Sequence, residues 1–191
     1  MVHKERTVNA MLYAIGKYPN IGRTKLMKFF FFSDLINYNQ NGDILLEKEY
    51  IRMPNGPVPE SAFHLTGTSN AFVEVCPTQI DPEWTKYHFH MLREADPSIF
   101  SSAELSLFDE VIGILQSHST QKISEITHRF SLWRTVADGD IIPLESFKLD
   151  EYEYVQLGSV ISSYRAAQLA KTVEINDDMF VDDNFEVTVT A

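Results

Sequence analysis

Apolar residues crowd into one segment and thin out around it. Between 23 and 38 they are Leu26, Met27, Phe29, Phe30, Phe31, Phe32, Leu35 and Ile36. Their overlapping i, i+3, i+4 stripes cover most of a helical surface, the pattern of a helix packed on several sides. Burying one phenylalanine stabilises by roughly 1.5–3 kcal/mol, so this segment is expected to be the core spine. Arg23, Lys25 and Lys28 are read as its early exposed face. Asn41 and Gly42 tolerate positive φ and are expected to end the helix. Residues 44–53 follow, with a strand starting at Tyr50 and Ile51. Pro54-Asn55-Gly56-Pro57 is expected to stop that strand. The corner 54–59 is then rigid and exposed, with extended backbone around Val58.

The other segments have simpler patterns. Val8, Met11, Leu12 and Ile15 predict a helix over 7–18, with Thr7 as a cap. Residues 60–65 suit a helical turn, and 72–76 a strand. Alternation of Tyr87, Phe89 and Met91 with Lys86, His88 and His90 predicts a second strand, paired with the first through a loop at 77–83. Ser101 and Glu104 form a capping box before the stripe Leu105, Phe108, Val111, Ile112 and Leu115, which predicts a helix over 101–117. Short helices are expected over 123–130, capped by Thr120, and from Pro143 through Phe147, with a turn at 138–140 between them. A last helix is expected over 152–171. The fold class is mainly α (α+β): a compact helical domain around a central hydrophobic helix, with small β-hairpins. One domain is expected over 1–172, with a hairpin near 71–92. The acidic stretch 173–191 is expected to be a mobile tail.

Charge and composition narrow the function classes. The chain has 191 residues and a net charge of −11, a balance that disfavours binding a phosphate backbone and suits a basic partner. No apolar run approaches the roughly 18 residues of a membrane span, and the first residues lack the pattern of a secretory signal. One cysteine, Cys76, excludes an internal disulfide framework. The expected location is the cytoplasm, with no membrane contact and no cofactor.

Candidate chemistry is sparse. His88 and His90 could project two imidazoles from one strand face, with His64 or His128 as a third metal ligand. The plainer account is a polar hairpin face. No nucleophile elbow or Walker loop occurs, and Cys76 sits in an apolar strand, where a thiol is inert. The pairs Asp109-Glu110 and Asp182-Asp183 are adjacent along the chain and do not face each other. His128 could hydrogen-bond a backbone carbonyl while Trp133 fills a groove, although both also suit a core.

Three separated motifs resemble the SocA-like antitoxin family, the Panacea domain. Thr24-X-Leu26-X-Lys28-Phe29-X-Phe31 followed by Gly42 is similar to its K-L-Q-K-L-L-Y-F…G helix. Tyr50 followed by Gly56-Pro57-Val58-Pro59 resembles its Tyr…Gly-Pro-Val-Pro block. Thr127-His128…Trp133…Ile142-Pro143 resembles a later Ser/Thr-His…Trp…Ile-Pro segment. The match runs over about residues 7–147, and the acidic tail lies outside it. The resemblance implies a mainly helical, non-enzymatic, phage-associated bacterial antitoxin that neutralises a neighbouring toxin by direct contact. It also implies a proteolytic adaptor that delivers the toxin to a Clp-type protease. The expected partner-binding residues are Arg23, Lys25, Lys28, Tyr50, Asn55, Gly56, Pro57, Val58, Pro59, His128 and Trp133. Two other readings stay open: a winged-helix-like DNA-binding regulator, and a metal-dependent enzyme using the histidines.

Overall fold

Two helices open the chain, α1 (Val2–Lys17) and α2 (Arg23–Asn41), in a computed structural model that describes residues 2–82 and 84–178. Helix α2 is the interior spine, and every residue from Lys25 to Ile36 is buried. Its phenylalanines meet different neighbours. Phe29 lies 5.3 Å, centroid to centroid, from Phe108, while Phe31 lies 5.9 to 6.2 Å from Phe147, Tyr50 and Phe130. Edge-on rings at such distances add to the area they bury. The helix ends at Gly42, whose φ of +78° and N–H to Tyr38 form a left-handed cap.

The expected exposed basic face of this helix is absent. Lys25 and Lys28 are buried, at 8% and 1% exposure, and Arg23 is half-buried. Their ammonium groups satisfy distant carbonyls, as described below.

Strands β1 (Tyr50–Met53) and β2 (Gly56–Pro59) pair antiparallel, with Pro54 and Asn55 at the turn. The proline-rich corner is therefore itself a strand, and only Pro54 and Asn55 are exposed; Gly56 through Pro59 are buried. Its position explains the tolerance: β2 is an edge of the sheet β2-β1-β5, where a proline need not donate to a further strand. Strand β5 (Ile141–Ile142) closes the other side of β1. A short helix α3 (Glu60–Leu65) leads to a second hairpin, β3 (Val73–Asp81) with β4 (Trp84–Met91). Strand β3 runs past the expected 72–76, so most of the foreseen loop at 77–83 is strand, with a bulge at Gln79/Asp81.

Helix α4 (Ser102–Ser117) carries the expected Ser101/Glu104 capping box, and Glu104 also binds Arg6 of α1. Helix α5 (Thr120–Thr127) is capped by Ser119 rather than Thr120. Helix α6 (Ser131–Arg134) lacks a local cap. Glu153 supplies one from α7 (Glu151–Asp178), accepting the N–H and hydroxyl of Ser131. Between them Leu144–Phe147 forms a 3-10 turn led by Pro143. Among the described residues the fold is α+β and mainly helical, with seven α-helices and two small antiparallel sheets. Residues 173–178 of the expected tail continue α7, and 179–191 lie outside the described residues. No described helix is long and apolar enough to cross a membrane.

Candidate functional site

A buried carboxylate fixes the segment that leads into the sheet. Asp34, on α2, is fully buried and accepts the N–H groups of Leu45 and Leu46 on one oxygen. Its other oxygen accepts Glu47 N–H and the Tyr50 hydroxyl, the latter at 2.7 Å. Burial pushes its carboxyl up to about 7, against the pull of these donors. All four groups donate into the carboxylate, so the ionised form is the one this geometry accommodates. Tyr50 is thus a buried strut rather than a contact residue; burial and the Asp34 charge drive its hydroxyl well above the usual range.

Arg23, Lys25, Lys28, Asn55 and Val58, five of the predicted site residues, line a cleft of about 610 Å³ between the start of α2, the β1–β2 turn and the β3–β4 hairpin, and Tyr50, Gly56, Pro57, Pro59, His128 and Trp133 do not. Arg23 donates from Nη2 to Phe63 O at 2.8 Å and from Nε to Thr66 Oγ1 at 3.2 Å. Its guanidinium lies 3.8 Å from the Phe63 ring centroid and 5.0 Å from that of Tyr87. Lys25 donates to Leu115 O at 2.7 Å and to the Tyr18 hydroxyl. Lys28 donates to Pro57 O at 2.9 Å, and burial pushes its ammonium down to about 7. Among the described residues, none of the three forms an ion pair with a carboxylate. Helix α2 also begins at Gly22 without a side-chain cap or an acid in its first turn, so its dipole adds positive potential.

Gly56 explains how Lys28 reaches the sheet. Its φ is +102°, and a Cβ there would lie 2.6 Å from Lys28 Nζ and overlap Thr127 Oγ1. Only glycine permits this approach. Val58 lines the cleft, whereas Pro57 and Pro59 are buried outside its lining. Asn55 is exposed on the rim, shared with a neighbouring cleft of about 420 Å³ that reaches His128. His128 stacks on Trp133, with ring centroids 3.8 Å apart, and Trp133 donates to Met53 O at 2.9 Å. Burial and the charges of Lys28 and Arg52 lower the His128 pKa, which favours a neutral ring. Arg52 covers Trp133 at 4.1 Å and pairs with Asp138. Thus Arg23, Lys25, Lys28, Asn55 and Val58 share one cleft, His128 joins it through the neighbouring one, and Trp133 braces the turn.

His88 and His90 lie apart from this cleft on β4, opposite Cys76 and Glu74. Among the described residues no group of three or more His, Cys, Asp or Glu side chains gathers as a metal site.

A family model described as "Antitoxin SocA-like, Panacea domain" matches residues 26–134. The chain belongs to this antitoxin family. The Panacea match starts inside α2 and ends with α6, so it takes in the spine, both hairpins and the His128–Trp133 stack. No curated protein and no solved structure matches the chain. Membership of the family supports an antitoxin role and a toxin as partner.

Sequence reasoning missed Asp34 and Glu47. Asp34 carried a legible signal: it is an acid inside a helix that is apolar all round, and such a group must be buried with its partners. Glu47 carried none, because its burial depends on the path of the chain pinned by Asp34.

Proposed function

We propose that this chain neutralises a cognate toxin by direct protein–protein binding, through the cleft at the start of α2. One observation supports the reading. Arg23, Lys25 and Lys28 line a cleft without a carboxylate counterion among the described residues, in a chain whose net charge is −11. An acidic side chain of the toxin supplies that counterion. A buried charge–charge contact framed by Tyr87 and Phe63 matches the anchored centre of a tight interface. The same grip would let the chain present its toxin to a Clp-type protease, a role read out by toxin turnover with and without the protein. This function belongs in the cytoplasm, where a toxin made from the adjacent gene would meet it.

The test is co-expression with the product of the adjacent gene. The expected result is restored growth and co-purification of the two proteins. Absence of both would overturn the reading.

A further inference from the structure

The cleft at the start of α2 differs from its neighbours in charge. Its wall holds Arg23, Lys25, Lys28 and Lys86 and, among the described residues, no aspartate or glutamate. Four other clefts, of about 420 to 770 Å³, each carry an acid in the wall, such as Glu47, Glu151, Glu104 and Glu125 in turn. Lys86 is exposed and Arg23 half-buried, so these two cations can be touched. Neither pairs with a carboxylate among the described residues, whereas Arg6, Lys17, Arg52 and Arg165 all do. Lys25 and Lys28 are buried and contribute potential rather than contact. Tyr18, Phe63 and Tyr87, all half-buried, supply aromatic surface beside the charge.

The same chain carries a complement to this cleft. Residues 179–191 read MFVDDNFEVTVTA, with Asp182, Asp183 and Glu186 and no lysine or arginine. Phe180 and Phe185 bracket the two aspartates. Acids between aromatic rings suit cations set among aromatic walls. From this complementarity we infer that the acidic segment 179–191 binds the basic cleft of its own chain, with Asp182 and Asp183 meeting Lys86 and Arg23. The acids in the walls of the other four clefts repel it. Reach does not prevent the contact: the segment follows α7, which ends at Asp178, and its length spans up to about 45 Å when extended. That is roughly the breadth of a folded chain of 191 residues. The tether also raises the local concentration of the segment, so a few charge–charge and aromatic contacts suffice. One consequence rests on the toxin-binding reading: the segment competes with the toxin's acidic side chain and must leave the cleft before the toxin enters.

The test uses the full chain and no toxin. Amide NMR spectra are compared for the native chain and for Asp182→Asn/Asp183→Asn/Glu186→Gln. The expected result is a set of shift changes at residues 22–25, 55 and 85–87, far along the chain from the substitutions. Lys86→Glu should move the amides of residues 180–186 in the native chain and leave them unmoved in the neutralised variant. A synthetic peptide of residues 179–191, titrated into the neutralised variant, should return the cleft amides toward their native positions. Its apparent affinity for the native chain should be at least about tenfold weaker, because the tethered segment competes. Shift changes confined to residues 179–191 and their sequence neighbours, or centred on another face, would overturn the cleft as the binding site. Native peak positions that vary with chain concentration would assign the contact to a second copy and overturn binding within one chain. None of these outcomes depends on growth rescue, so the two proposals fail separately.

Discussion

Asp34 and Lys28 are the two charged side chains that α2 carries deepest, and they oppose each other in pH dependence. The Lys28 ammonium titrates near 7 in the folded chain, below the 10.5 of an unburied lysine. Between those values the unfolded chain binds more protons, so this group makes stability rise with pH, by up to about 1.4 kcal/mol per unit. The contribution is complete above 10.5 and is lost as pH falls toward 7. Urea unfolding from pH 7 to 10 should show the rise in the native chain and a flatter profile for Lys28→Met; parallel profiles would refute it. Asp34 shifts the other way, favouring the folded state toward acid. Its geometric role is larger. Asp34→Asn turns an NH2 donor toward donors and should cost about 2–4 kcal/mol, since buried donors left unpaired cost roughly 1–3 kcal/mol each. Urea midpoints measure this, and a loss below about 1 kcal/mol would contradict it. The sequence shows neither burial directly. A lysine is read as exposed by default, and the carbonyl that accepts Lys28 belongs to Pro57, 29 positions away.

Elements whose signals are local were legible. The phenylalanine run, the Ser101/Glu104 capping box and the Gly42 stop each need only a few neighbouring residues to be read, and each appears where expected. The β1–β2 hairpin was misread because Pro57 and Pro59 oppose a central strand, whereas β2 sits on an edge. Its tight approach to α2 makes Gly56 a sharp probe. Gly56→Ala combines positive φ with a clash, while Gly139→Ala has positive φ and open space around it. The second change should cost about 1 kcal/mol from conformation alone, and the first at least about twice that. Thermal or urea unfolding of the two variants decides; equal losses would remove Gly56 as the packing point of Lys28. Trp133→Phe keeps an aromatic face for His128 and drops the bond to Met53 O. It should cost about 1 kcal/mol, read from the same curves.

Over the whole molecule, the fold class was legible because one helix carries enough apolar surface to organise the rest. The placement of charge was not. A net charge of −11 suggests an acidic surface throughout, yet Arg23, Lys25 and the buried Lys28 gather at the start of α2, and none of them pairs with a carboxylate among the described residues. If this cleft anchors the toxin as proposed, its exposed rim allows a test that leaves the core alone. Asn55 and Lys86 both line the cleft and both face solvent. The deciding measurement is the Kd for the purified cognate toxin by calorimetry, for the native chain and for the Asn55→Glu/Lys86→Glu double variant. An acidic anchor would meet repulsion there, and the prediction is at least about tenfold weaker binding, or 1.4 kcal/mol, with an unchanged unfolding midpoint. An unaltered Kd would place the toxin contact elsewhere and contradict the account.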